Sequence, residues 1–409
     1  MTKKTSLSFP VLFAIYGNMI LYGFIQSIRG IALPLIKNEL GFSYSRQGLI
    51  LLLISVVLVL ACLSAGAFIS RFSFKKALML GFLAVMLGMG VFFFSNSFWA
   101  ATGVFLIIQV GLSYFEIGIN GMGSKFFTVK AGLMMNLLHF CYGIGAIAGP
   151  RFAGFISTLP NAGTRYIYPA GIPFVFIMMV ITLLIRFSPE ASETVDTEKN
   201  PENIEAKKMT FLNALRQPVA WGFGIILGLS GTVEAGFVNW SVLYLQDVYQ
   251  YDPALGGAAF ISFYFILYTF ARLFGGFFIE KIGYVNSLFL ASISIFVILA
   301  AGFVLGERGI WALPFSGIFI SIFWPTMLAV NISVFKENAQ VVSSAMLPIA
   351  FTLSGLCQYG VGLINRFAGP SWGFRSCLVS SLILCAAIYK LRIYMKKTKS
   401  ISSAGPSED

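Results

Sequence analysis

Gly276-Phe277-Phe278-Ile279-Glu280-Lys281-Ile282-Gly283 is the stretch on which the fold turns, because Gly66-Ala67-Phe68-Ile69-Ser70-Arg71-Phe72-Ser73 repeats its pattern and leads into Lys75-Lys76. Both read glycine, three residues, a polar or acidic residue, a base, one residue, then a small residue. The small residues allow close helix approach, and the charges can cap helix ends at a membrane surface. Each copy sits between two long apolar runs. Working outward, the runs fall at about 9–36, 44–69, 76–95, 98–124, 131–158, 167–187, 214–246, 255–280, 285–305, 308–334, 340–367 and 370–392. Only a helix satisfies its own backbone across lipid, and about 20 apolar residues are needed for each crossing. The reading is therefore an all-α membrane protein of twelve transmembrane helices, built as two pseudo-symmetric six-helix bundles. Composition agrees: of 409 residues 57% are hydrophobic and only 11% charged, against about 25% charged in an ordinary soluble domain.

The one long hydrophilic stretch, from Ser188 to about Thr210, carries Glu190, Glu193, Asp196, Glu198, Glu202 and Glu205 with Pro189 and Pro201. It divides the chain into an N-terminal bundle (1–187), a linker (188–212), a C-terminal bundle (213–392) and a tail (393–409). With both termini on one side, that side holds 19 of the 28 Lys and Arg and the other holds six. The positive-inside rule then places termini and linker in the cytoplasm of a cell-membrane, multi-pass protein. The net charge of +12 is spread over short loops, so it does not mark a nucleic-acid surface. The basic start before the first run does not read as a cleaved signal, since eleven more spans follow. Cys62, Cys141, Cys357, Cys377 and Cys385 show no metal-ligand or CxxC spacing and read as small apolar residues. No GxxxxGK[ST] loop occurs, so ATP is not the energy source. No cofactor is expected. One histidine and two intramembrane acids do not make a nucleophile–base set, which argues against an enzyme.

The repeated loop and the six-plus-six layout resemble the major facilitator superfamily over nearly the whole chain. The second-half loop fits that family's Gly-x-x-x-Asp/Glu-Arg/Lys-x-Gly motif; the first-half copy has Ser70 and Ser73 where an acid and a glycine are usual. Three further stretches resemble the sugar–proton symporter branch typified by fucose and glucose permeases: Gly111-Leu-Ser-Tyr-Phe-Glu116-Ile-Gly-Ile-Asn120, Asn136-Leu-Leu-His139-Phe-Cys-Tyr-Gly143-Ile-Gly145 through Gly149-Pro150, and Gly231-Thr-Val-Glu234 through Asn239-Trp240. The resemblance implies the major facilitator fold, alternating access around a midplane cavity, and proton coupling at the span-4 glutamate. The chain differs at Arg29-Gly30-Ile-Ala-Leu33-Pro34, where the fucose-permease type carries an acid near the Leu-Pro pair. Gly145, Gly149-Pro150-Arg151 and Gly154 also resemble the Gly-Pro motif of the superfamily's antiporters, which keeps export open.

An ionisable side chain at membrane depth costs about 2.5–3.5 kcal/mol on insertion scales and asks for a reason. Glu116 and Glu234 are the only acids at that depth. A carboxyl removed from water holds its proton more firmly, so either can exchange it near neutrality. Spans 4 and 5 turn near Phe127, which puts Glu116 and His139 level, and the two are candidates for a coupled titrating pair. A static packing role, or a histidine satisfied by a neighbouring hydroxyl or carbonyl, is the alternative. Arg29 and Arg151 lie in the outer half of the first bundle, where they can fork onto an anionic group or simply snorkel to the interface. Arg272, one turn before Gly276, reads as a structural bond. Gln26, Gln109, Asn120, Asn136, Tyr142, Asn239, Trp240, Trp324, Asn331 and Gln358 are the polar and aromatic candidates for a hydroxylated solute, with interhelical bonding as the alternative for each. Together these predict a secondary transporter, functional as a monomer in the bilayer, that takes up a sugar or sugar-like small solute with protons. The rivals are an organic-anion importer using Arg29 and Arg151, and a drug or metabolite efflux antiporter.

Overall fold

The computed structural model describes residues 9–127, 130–185 and 209–403, and among them the regular structure is helical without a strand. In the first half the long helices are α1 (Phe9–Leu40), α2 (Tyr44–Arg71), α3 (Phe74–Val91), α4 (Phe98–Phe126), α5 (Ala131–Thr158) and α6 (Ile172–Leu184). In the second half they are α7 (Pro218–Tyr249), α8 (Ala258–Ile282), α9 (Tyr284–Val304), α10 (Phe323–Phe335), α11 (Ala339–Ala368) and α12 (Pro370–Ser403). Eleven helical segments among the described residues are long and apolar enough to cross a membrane. One of them, Gly306–Ala368, runs for 63 residues and is broken at Lys336, whose φ is +47°. The hydrophilic linker expected at 188–212 lies outside the described residues up to 208. The tail expected from 393 begins as a continuation of α12, which stays helical to Ser403.

Local sequence explains the helix starts on the first half's turns. Ser43, Ser73 and Ser97 each adopt an extended backbone and accept from the N–H three residues on, Arg46, Lys76 and Ala100 respectively. Each cap satisfies one of the donors a helix start leaves orphaned. The equivalent junction in the second half is made by Gly283 at φ +87°, a conformation that an L side chain resists.

Packing within each half is tight where glycine faces backbone. On α5, a Cβ at Gly145 would fall on the carbonyl oxygen of Ile20, and one at Gly149 on that of Phe24, so both glycines let α1 and α5 touch backbone to backbone. Helix α1 also packs on α4, and α3 on α4 and α6; in the second half α7 packs on α11 and α12, and α9 on α12. Contacts between the halves run through α2 with α11, α5 with α8 and α1 with α7. Hydrogen bonds joining the halves cluster at the face opposite the start of α1. Tyr44 Oη donates to Asp247 Oδ2 at 2.6 Å, Asn38 Nδ2 to Gln246 Oε1 at 3.0 Å, and Gln47 Nε2 to the Asn239 carbonyl at 3.0 Å. On the same face Arg165 ties the α5–α6 connection to Glu39 (2.5 Å) and to Asn96 (2.9 Å).

Candidate functional site

A cavity of about 250 Å³ lies between the halves. Its wall comes from α1, α2, α4, α5, α7, α8, α10 and α11; none of α3, α6, α9 or α12 contributes a lining residue. Along α1 the lining residues run from Met19 to Arg29 of a helix spanning Phe9–Leu40, so the chamber sits near mid-depth.

Glu116, Glu234, His139, Arg29 and Arg272 all line this cavity. Among the described residues the one ion pair within 4 Å is Arg165–Glu39, far from the chamber wall. The five ionisable side chains thus line the cavity with no ion pair between them among the described residues. Glu116 Oε2 accepts from the Tyr22 hydroxyl at 3.2 Å. Glu234 lies near Tyr268 on the same wall, and Tyr268 accepts from Arg272 at 2.6 Å. Arg272 also donates to the Ser321 carbonyl at 3.2 Å, which is the structural bond expected of it, while its charge faces the chamber. Arg29 makes a single long contact, 3.4 Å to Gln109 Oε1. Tyr142 lines the same chamber, and its ring lies 5.6 Å from that of Tyr22.

No hydrogen bond or ion pair joins Glu116 to His139 among the described residues; the charge His139 meets is that of Arg272. Both residues line the cavity, but the candidate pairing of the two is not among the contacts of the described residues.

Of the uncharged candidates, Gln26, Gln109, Asn120, Tyr142, Asn239, Trp324 and Gln358 line the chamber. Asn136, Arg151, Trp240 and Asn331 do not, and each has a physical reason. Asn136 and Arg151 sit on exposed faces of α5. Trp240 is 1% exposed and stands behind the wall, donating from Nε1 to Gln358 Oε1 at 2.8 Å. Asn331 is fully buried and donates to the Ala339 carbonyl and to Ser343 Oγ, both at 2.8 Å, across the α10–α11 break. The sequence reading passed over many wall residues, Ser27, Ser55 and Ser354 among them, and most consequentially the two tyrosines Tyr22 and Tyr268. Their signal was spacing: Tyr22 precedes Arg29 by two helical turns and Tyr268 precedes Arg272 by one, so each shares its charged neighbour's face.

Three lining residues hold a buried polar atom that no protein group meets: Gln26 Oε1, Arg29 Nε and Asn239 Oδ1. Each such group costs about 1–3 kcal/mol when left unmade. Trp324 stacks on Phe351 with ring centroids 5.6 Å apart, and both rings reach the cavity. Among the described residues no cluster of His, Cys, Asp and Glu could hold a metal ion.

Long apolar helices enclosing a polar, charged chamber at mid-depth define a multi-pass membrane protein with a solute-sized cavity between its halves. The chain belongs to the major facilitator superfamily, whose sequence profile matches residues 15–358. It is 25% identical over 285 residues to a phosphoglycerate transporter protein of Salmonella typhimurium, covering 62% of this chain and 59% of that one. It is 22% identical over 385 residues to a putative glucose/galactose transporter of Helicobacter pylori, covering 85% of this chain and 92% of that one. In structure it is similar to a bacterial homologue of the human lysosomal transporter Spinster in an inward-facing, unoccupied conformation, with a TM-score of 0.76 at 14% identity over 94% of this chain and 97% of the other. It is also similar to the Escherichia coli fucose:proton symporter, with a TM-score of 0.60 at 16% identity over 92% and 98% of the two chains. At these identities the structural likeness speaks to the fold alone.

Proposed function

We propose that this transporter takes up a sugar or sugar-like polar solute together with protons, by alternating access of two six-helix bundles around the cavity. In this reading Gly306–Ala368 crosses the membrane twice, giving twelve crossings. Residues 1–187 and 213–392 form the bundles, 188–212 the cytoplasmic linker, and both termini face the cytoplasm of the cell inner membrane. The protein works as a monomer. The hydrogen bonds from Asn38, Tyr44 and Gln47 to α7 then seal the outer side, so the conformation described opens inward.

The observation that carries proton coupling is the setting of Glu116. It lines the chamber and is held by the Tyr22 hydroxyl with no cation in ion-pair range among the described residues. A carboxyl so placed gains or loses a proton without breaking an ion pair, and each change alters which conformation is favoured. Glu234, on the same wall as Tyr268 and Arg272, is the second candidate, and His139 the third. The solute reading rests on the amides of Gln26, Gln109, Asn120, Asn239 and Gln358 with the Trp324 ring, groups suited to hydroxyls and to a sugar face. The glucose and galactose named for the Helicobacter pylori relative are consistent with it.

The test is uptake into proteoliposomes under an imposed pH gradient, with labelled glucose, galactose, fucose and glucuronate as probes. The wild type is expected to accumulate at least one of them against its gradient. Glu116→Gln is expected to lose accumulation while keeping exchange down the solute gradient. Wild-type gradient dependence in Glu116→Gln would remove the coupling role, and drug movement outward without sugar uptake would replace the reading with efflux.

A further inference from the structure

We infer that the transported solute carries an acidic group, a carboxylate or a phosphate, and that Arg29 is its seat. The inference deepens the transport reading above and rests on it for the site, though not for the proton.

Two guanidinium groups reach the chamber, and they are not equivalent. Arg272 is answered within its own half: Tyr268 and the Ser321 carbonyl take its N–H groups, and Glu234 lies within its field. Arg29 has none of this. Its one hydrogen bond is the 3.4 Å contact to Gln109, its Nε meets no acceptor, and no carboxylate lies within 4 Å of it among the described residues. The titratable groups whose fields reach it are the phenols of Tyr22, Tyr142 and Tyr168, all uncharged near neutrality. The Gln109 oxygen that Arg29 contacts belongs to an amide already donating to Ser113.

A guanidinium is charged at every physiological pH, so this site cannot relieve itself by losing a proton. A buried charge without a partner is among the costlier features a fold can keep. At membrane depth such a residue is kept for a counter-charge, and here the chamber is the one place from which it can come. Carboxylate and phosphate both match the planar fork of the guanidinium. The rest of the wall sets the remainder of the solute. The amides of Gln26 and Asn239 also line the chamber, and amides can meet hydroxyl groups as donor or acceptor. The wall therefore describes a hydroxylated acid: one anionic end on Arg29 of the first half, hydroxyls toward Gln26 and Asn239, the latter on the second half.

Binding without any gradient separates this inference from proton coupling. The full chain in detergent is titrated with inorganic phosphate, glucuronate and glucose while its thermal unfolding and Trp fluorescence are followed, Trp324 being on the cavity wall. At least one of the two anions is expected to raise the unfolding temperature at concentrations where glucose does not. Arg29→Gln is expected to weaken that response at least tenfold and Arg29→Lys to retain part of it. A response to glucuronate alone assigns a carboxylate, and one to phosphate alone a phosphate. In anion-free buffer Arg29→Gln is expected to unfold no earlier than the wild type, since it discards an unanswered charge. Glucose binding as well as either anion, no response to either anion, or an unchanged anion response in Arg29→Gln would overturn the assignment, whatever Glu116→Gln does under a pH gradient.

Discussion

Trp240 and Gln358 divide one task between them. Gln358 offers its amide to the cavity wall, but both ends are already engaged: Nε2 donates to the Thr232 carbonyl at 3.1 Å and Oε1 accepts from Trp240 at 2.8 Å. The indole fixes which way the amide points, because a flipped amide would set N–H against N–H. Trp240→Phe keeps the packing and removes the donor. The expected outcome is a loss of about 1–3 kcal/mol from the orphaned oxygen, read as earlier thermal unfolding together with weaker solute binding. Trp240 reaches the cavity wall only through Gln358, which is why a reading by residue type placed it at the substrate. The charged groups were legible for a firmer reason: an ionisable side chain inside an apolar run has to face something other than lipid, and Glu116, Glu234, His139 and Arg29 all face the chamber. Arg151 shows the limit of that rule. It lies nine residues from Tyr142, and at roughly 100° per residue this puts it on the opposite side of α5. Position on the helix wheel, combined with the cavity face that Tyr142 marks, separates it from the others; charge alone does not.

At the scale of elements, the two copies of the repeated loop solve one problem by different means. In the second half Gly283 turns the chain at φ +87° between α8 and α9. In the first half Ser73 stays extended at φ −170° and caps α3 by accepting from Lys76 N–H at 3.2 Å. The departure from glycine at Ser73 is thus an exchange of a turn residue for a capping residue. Ser73→Ala is expected to cost about 0.5–2 kcal/mol and Ser73→Gly only a few tenths, whereas Gly283→Ala is expected to cost about 1–3 kcal/mol for a positive-φ, extended backbone that glycine adopts freely. Thermal unfolding of the three purified variants ranks them. Equal losses at Ser73→Ala and Ser73→Gly would show that the hydroxyl cap is idle. The repeat and the apolar runs made these elements legible, since length and hydropathy fix a spanning helix without reference to its neighbours. The breaks were harder to see. The positive φ of Lys336, which ends α10, and the helical extension of α12 to Ser403 depend on backbone and packing that apolar runs do not encode.

For the whole molecule, the proposed alternating access would turn on the hydrogen bonds that join the halves at the face opposite the start of α1. Tyr44 spans from α2 to Asp247 of α7 at 2.6 Å, and the Lys37 ammonium lies over the Tyr44 ring, 4.2 Å from its centroid. Lys37 and Tyr44 belong to one half and Asp247 to the other, so a rocking motion that opens this face must break the phenol–carboxylate bond. A hydrogen bond to a charged acceptor contributes about 1.5–3 kcal/mol, and a tenfold change in an equilibrium takes about 1.4 kcal/mol. Tyr44→Phe should therefore shift the population toward the state open on this face by roughly ten- to a hundredfold. Spin labels on Asn161→Cys and Arg308→Cys, exposed positions in connections on this face, one from each half, report the separation of the two halves there. The expected result is a longer-distance population that grows in Tyr44→Phe and grows comparably in Asp247→Asn. If instead both variants keep the wild-type distance distribution, the seal resides in the helix packing of Gly48 and Gly362, where α2 and α11 meet at backbone contact, and the hydrogen bond is a passenger on it.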